Sequence, residues 1–137
     1  MPRVVVDTNV LVSYFTEREI RQQDLADVLL KDAAQGEILA IIQQFVLFEM
    51  IFVLESVYEV ESAVAASYLE SLRRLPGVLI VDDCPWSRVL EYWPRSIRSL
   101  ADAALVAVAS GGRYDALATF DRKLARRLPK FGVKAYW

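Results

Sequence analysis

The sequence of 137 residues contains no histidine and only one cysteine, Cys84. Without an imidazole, histidine-based acid–base catalysis, serine–histidine–aspartate chemistry and histidine-ligated zinc are excluded within this chain. A lone thiol forms no intrachain disulfide and builds no zinc site, so Cys84 reads as a small core or edge residue in a reducing compartment. Glycine and proline are scarce, at five each, which excludes fibrous and low-complexity classes. Neither sign of charge dominates: 16 basic and 18 acidic residues leave a formal net charge of −2, which is no global signature of nucleic-acid binding. The longest apolar run, residues 38–54, is slightly short of a membrane span and carries Gln43, Gln44 and Glu49. The opening MPRVVVD lacks the apolar stretch of a signal peptide. A cytoplasmic location without membrane association is expected.

What is present suits a compact domain over residues 1–137, with 55% hydrophobic and 25% charged residues. Arg3–Val6 reads as a buried strand that ends at a polar DTN, and Asp7, Thr8 or Asn9 can cap a short helix to about Phe15. Helical patterning follows from Glu17 to Gln35, with Gly36 as its stop. A second strand is expected at Ile38–Ile41, then helices over Gln44 to about Leu54 and Glu59 to Arg74. Pro76-Gly77 marks a turn before a strand at Val78–Val81. Helices near Trp86–Trp93 and from Ser99 to Ala109 lead to a strand at Leu117–Thr119. Asp121 then caps Arg122–Leu128, and Val133–Tyr136 is a candidate last strand. Alternating strands and helices predict an α/β fold with a mainly parallel central sheet covered on both faces. In such folds the active site lies at the carboxyl ends of the strands.

Four acids interrupt stretches that otherwise read as buried scaffold: Asp7, Glu49, Asp102 and Asp121. Asp7 follows VVV and also suits a helix cap or Asx-turn. Asn9 is placed to orient a carboxylate, whereas Thr8 reads as part of the local turn. Asp102 sits among alanines in SLADAALVAVA, where a first-turn acid is also favoured by the helix dipole. Asp121 is an obvious cap that can still turn its second oxygen elsewhere, with Thr119 as a weaker helper on the same side. Glu49 stands in mid-helix between Phe48 and Met50, where capping is no explanation. It must face solvent or find a partner for its charge. Three of the acids lie near helix N-termini, which is expected to lower their pKa values and keep them ionised. All-oxygen donors favour Mg²⁺ or Mn²⁺ over zinc or copper. Asp82 and Asp83 also follow a strand but suit a turn, and Asp115 precedes its strand at the wrong end. The basic segment 122–134, with six Lys or Arg and no acid, can hold a phosphate backbone or form a solvated helix face.

Over essentially its full length the chain resembles PIN-domain ribonucleases, and in particular VapC-type toxins of prokaryotic toxin–antitoxin pairs. VVVDTNVLVSYF is similar to the family's opening strand and DTNVL motif, which places Asp7 and Asn9. FVLFEMIFVLE resembles the helix whose glutamate lines the site, which falls on Glu49. ADAALVAVA resembles the DALIAA-like helix and gives Asp102, and ATFDRKLAR resembles the closing TFD motif, giving Thr119 and Asp121. Many relatives carry another aspartate three residues before the DALIAA acid, where this chain has Ser99.

The resemblance implies a three-layer α/β/α domain and a Mg²⁺- or Mn²⁺-dependent endoribonuclease leaving a 5′-phosphate and a 3′-hydroxyl. Asp7, Asp102 and Asp121 would hold the ion, directly or through water, and Glu49 would position or deprotonate the attacking water. It further implies a VapB-type antitoxin and a homodimer, with helices around residues 17–74 as a binding surface. Tyr58, Tyr68, Trp86, Tyr92 and Trp93 are expected to supply some interface. Competing readings are a nuclease of the same fold acting on structured DNA or in RNA maturation, and an inactive PIN domain that binds RNA or protein.

Overall fold

A computed structural model describes residues 1–137. Four strands form one all-parallel sheet: β1 (Arg3–Val6), β2 (Leu39–Gln43), β3 (Val78–Val81) and β4 (Ala116–Ala118), in the order β3-β2-β1-β4. Helices α1 (Thr8–Phe15) and α2 (Ile20–Ala34) connect β1 to β2, and α3 (Gln44–Ser56) and α4 (Ser62–Arg74) connect β2 to β3. Both connections step in the same direction along the sheet, so right-handed crossovers put these four helices on one face. The return from β3 to β4 runs the other way. It carries α5 (Trp86–Tyr92) and α6 (Leu100–Ala109), which pack on each other while α6 reaches β1 and β4. The result is the expected three-layer α/β/α architecture with helices on both faces of a parallel sheet. After β4, α7 (Arg122–Arg127) runs into a 3₁₀ turn, Leu128–Phe131.

Local chemistry sets the element ends. Val4, Val5 and Val6 have no exposed surface, as befits an interior parallel strand, and the chain leaves the sheet at the first residue that can cap a helix, Asp7. The helix expected from Glu17 starts at Ile20, because the Glu19 carboxylate accepts bonds from Arg21 N (2.8 Å) and Gln22 N (3.2 Å). The helix expected from Glu59 starts at Ser62; Glu59 itself is left-handed at φ 55°. Gly77 permits the turn into β3: its φ is +79°, and a Cβ there would lie 2.0 Å from the Ala33 carbonyl oxygen of α2. The last strand expected at Val133–Tyr136 shrinks to one bridge, Leu117 to Ala135.

One core of 32 buried residues joins both helical layers through the sheet. The apolar helix α3 departs from the sequence reading. Only Val46, Met50 and Leu54, one i, i+4, i+8 stripe, are buried; Phe48 and Phe52 are 76% and 68% exposed. Of the aromatics expected at an interface, only Trp86 is exposed, while Tyr58, Tyr68, Tyr92 and Trp93 pack partly buried against the core. No helix is long and apolar enough to cross a membrane.

Candidate functional site

The strand order reverses between β1 and β4, and that is where a parallel sheet opens a crevice at its carboxyl edge. Asp7 leaves β1 and Asp121 follows β4 at this edge, and the Asp7 N–H donates to the Ala118 carbonyl at 3.0 Å, tying the two strand ends together. Asp7 is buried. Its Oδ1 accepts from Thr8 N at 2.6 Å, capping α1, and its Oδ2 accepts from Thr119 Oγ1 at 2.7 Å. The Thr119 hydroxyl in turn accepts from Asp121 N at 3.1 Å. Asn9 spans the same edge: its Oδ1 accepts from Phe120 N at 3.1 Å, and its Nδ2 donates to Thr119 Oγ1 at 3.4 Å. Thr119 is thus the hub of the edge, more central than its sequence position suggested.

Glu49 enters from α3 and Asp102 from the first turn of α6, both half-buried. Ser99 caps α6 by accepting from Asp102 N at 3.2 Å. Asp121 is exposed and caps α7 by accepting from Leu124 N at 3.1 Å. All four acids and Asn9 line one cavity of about 270 Å³. Thr8, which read as part of the local turn, lines it too, as does Arg18, which was not singled out from sequence. The Thr8 hydroxyl is buried without a hydrogen-bond partner. The Arg18 guanidinium is held by Ser13 Oγ and Gln22 Oε1, each at 3.0 Å. A larger cleft of about 530 Å³ lies at the opposite ends of the strands, beside Met1, Pro2 and Asp115. Asp115 there accepts from Arg3 N at 2.7 Å, a structural task consistent with its position before β4.

The electrostatics reverse one expectation. Burial lifts the Asp7 carboxyl to about 6, and the charges of Asp102 and Glu49 add to the rise against the lowering effect of Thr119 and Thr8. Asp102 is also raised, by burial and then by Asp121 and Glu49. Helix N-termini were expected to depress these acids, but desolvation and mutual repulsion prevail. Asp83 shows the contrast. Burial pushes its carboxyl up, yet bonds from Tyr114 and Gln43 and the charge of Arg113 bring it below its ordinary value. Asp83 has a cation and Asp7 has none, so the rim role open to Asp83 gives way to tying β3 to the loop before β4.

No three Asp, Glu or Cys side chains stand close enough together to form a ready-made metal cage. The donor set nevertheless fits a hard divalent cation in chemistry and charge. It is all oxygen, its carboxylates repel one another, and a buried Thr8 hydroxyl lacks a partner. The family described as PIN domain matches residues 4–128, a span from β1 to the 3₁₀ turn that includes all four acids. No curated protein matches the chain.

Proposed function

The chain belongs to the PIN-domain family, and from that premise we propose that it is a Mg²⁺- or Mn²⁺-dependent endoribonuclease, the toxin of a toxin–antitoxin pair. The observation that carries the reading is the convergence of Asp7, Glu49, Asp102 and Asp121, from four separate elements, on one cavity at the reversal of strand order. Asp7, Asp102 and Asp121 would hold the ion, directly or through water. When bound, the ion acidifies water and offsets charge on the phosphoryl oxygens. Thr119 and Asn9 fix Asp7 and the Phe120–Asp121 segment in place. Glu49 orients the attacking water and takes a proton on its carboxylate. Attack at phosphorus, in line with the 3′-oxygen, breaks the P–O3′ bond; solvent water protonates the departing oxygen, leaving a 5′-phosphate and a 3′-hydroxyl.

The partner half of the proposal rests on α3. Two exposed phenylalanines on one short helix, beside an apolar groove that includes Leu47, Ile51 and Leu69, form a face that suits cover by a VapB-type antitoxin or a second copy. Incubation of labelled transfer RNA and single-stranded RNA with Mg²⁺, Mn²⁺ or EDTA tests the activity. Metal-dependent cleavage that falls ~100-fold or more in Asp7→Asn and Asp121→Asn is expected. Equal cleavage by those variants overturns the site, and cleavage of structured DNA in preference to RNA overturns the substrate.

A further inference from the structure

A second cleft, of about 320 Å³, is lined by Thr119, whose hydroxyl donates to Asp7 of the acidic site, and differs from that site in chemistry. Arg21 of α2 and Arg122 of α7 face it, both exposed and neither in an ion pair. Glu19 lines it too, but its carboxylate is engaged at the N-terminus of α2. Phe120 and Trp137 supply an aromatic platform, with ring centroids 4.7 Å apart and planes 11° from parallel. Phe120 stacks on the indole, Tyr136 meets it in a T-shaped contact with centroids 5.3 Å apart, and 44% of the Trp137 surface remains open. The platform is tied to the acidic edge, because Asn9 accepts from Phe120 N and donates to Thr119, which holds Asp7. Along residues 119–122 the chain turns Asp121 toward the acidic cavity and Phe120 and Arg122 toward the cleft.

We propose that this cleft binds a nucleotide of single-stranded RNA next to the scissile phosphate, with Trp137 stacking its base and Arg21 and Arg122 holding its phosphate. Two unpaired guanidinium groups flanking a solvent-facing indole are what a backbone anion with an attached planar base requires. An arginine carries the phosphate charge, and any base can stack, so this contact is tolerant of sequence. The inference deepens the nuclease reading and rests on it for the placement of the scissile bond, but not for binding itself.

The test is fluorescence anisotropy of a 5′-labelled ten-nucleotide RNA in Mg²⁺, using Asp102→Asn protein to suppress hydrolysis. The same protein then carries Trp137→Ala, Trp137→Phe, or Arg21→Gln together with Arg122→Gln. Trp137→Ala should weaken binding ~5- to ~100-fold with an unchanged salt slope, and Trp137→Phe should restore most of it. The double glutamine variant should lower the slope of log affinity against log salt by ~0.7, one single-strand phosphate contact. A merely structural Trp137 or Arg pair would not separate affinity from salt slope in this way. Absence of binding by the parent, or affinity and slope unchanged in both variants, overturns the proposal. Cleavage by unmodified protein is scored apart. Trp137-dependent binding without cleavage keeps the subsite and removes the nuclease reading, and cleavage with variant-independent binding does the reverse.

Discussion

At the scale of single residues, Asp7 is the group whose state changes most with conditions. Its carboxyl titrates near 6 in the folded protein against an ordinary value of 3.8. A raised carboxylate pKa means that the folded state binds the proton more tightly than the unfolded chain. The ionisation cost is therefore absent below pH 4, grows through pH 4–6, and is fully present above pH 7. The shift corresponds to about 3 kcal/mol. In EDTA, Asp7→Asn should match the wild type near pH 4 and exceed its stability by up to about 3 kcal/mol at pH 7.5, as read by urea unfolding. Mg²⁺ should narrow that gap at pH 7.5, because a carboxylate at position 7 gains more from the cation than a neutral amide does. Thr119→Val removes the hydroxyl that donates to Asp7 Oδ2. It should cut metal-dependent cleavage ~10- to ~100-fold while retaining the fold, a comparison of rate with circular dichroism.

Ser99 makes a separate prediction. It caps α6 one turn before Asp102, and aspartate is an equally good cap. Ser99→Asp should leave the melting temperature within a few degrees while tightening Mg²⁺ binding in calorimetry. Ser99→Ala should cost about 1 kcal/mol.

At the scale of elements, strands and caps were legible because their signals are local. Val78–Val81 follows a Pro-Gly turn and keeps the expected bounds, and Asp7, Ser99 and Asp121 each cap the helix anticipated for them. Starts shifted where a side chain more distant than the pattern suggested took the cap, as Glu19 did for α2. The identity of Gly77 was legible as a turn, but its second task was not. Only the packed structure shows α2 against it. Gly77→Ala combines positive φ with a backbone clash at Ala33 and should cost about 2–4 kcal/mol, measurable as a drop in the urea midpoint. Arg18 was invisible for a similar reason. Within TERE it reads as one more solvated charge, and its place in the acidic cavity depends on Ser13 and Gln22 being near it in space.

At the scale of the whole molecule, the alternation of strand and helix was enough to place the acids at one end of a parallel sheet. Which side of the charge balance would win was not legible. Sequence supplies the dipoles of three helix N-termini, but desolvation and repulsion arise only when Asp7, Glu49 and Asp102 are brought together. The burial of α3 was likewise overestimated, since an apolar composition does not reveal how wide a stripe the neighbours will cover.

The junction of β1 and β4 has a mechanical consequence. Asp7 and the Thr119–Asp121 segment are tied to the carboxyl edge of the sheet by the Asp7–Ala118 backbone bond and the Thr119 hydroxyl. Glu49 and Asp102 ride on helices that reach the cavity from outside the sheet. The cavity is an anvil with two movable jaws. Because no three acids stand at caging distance, an ion held directly by the carboxylates would draw the jaws toward the anvil. Amide exchange should then slow along α3 and the first turn of α6 when Mg²⁺ is added, while β1, already sealed, keeps the same rate.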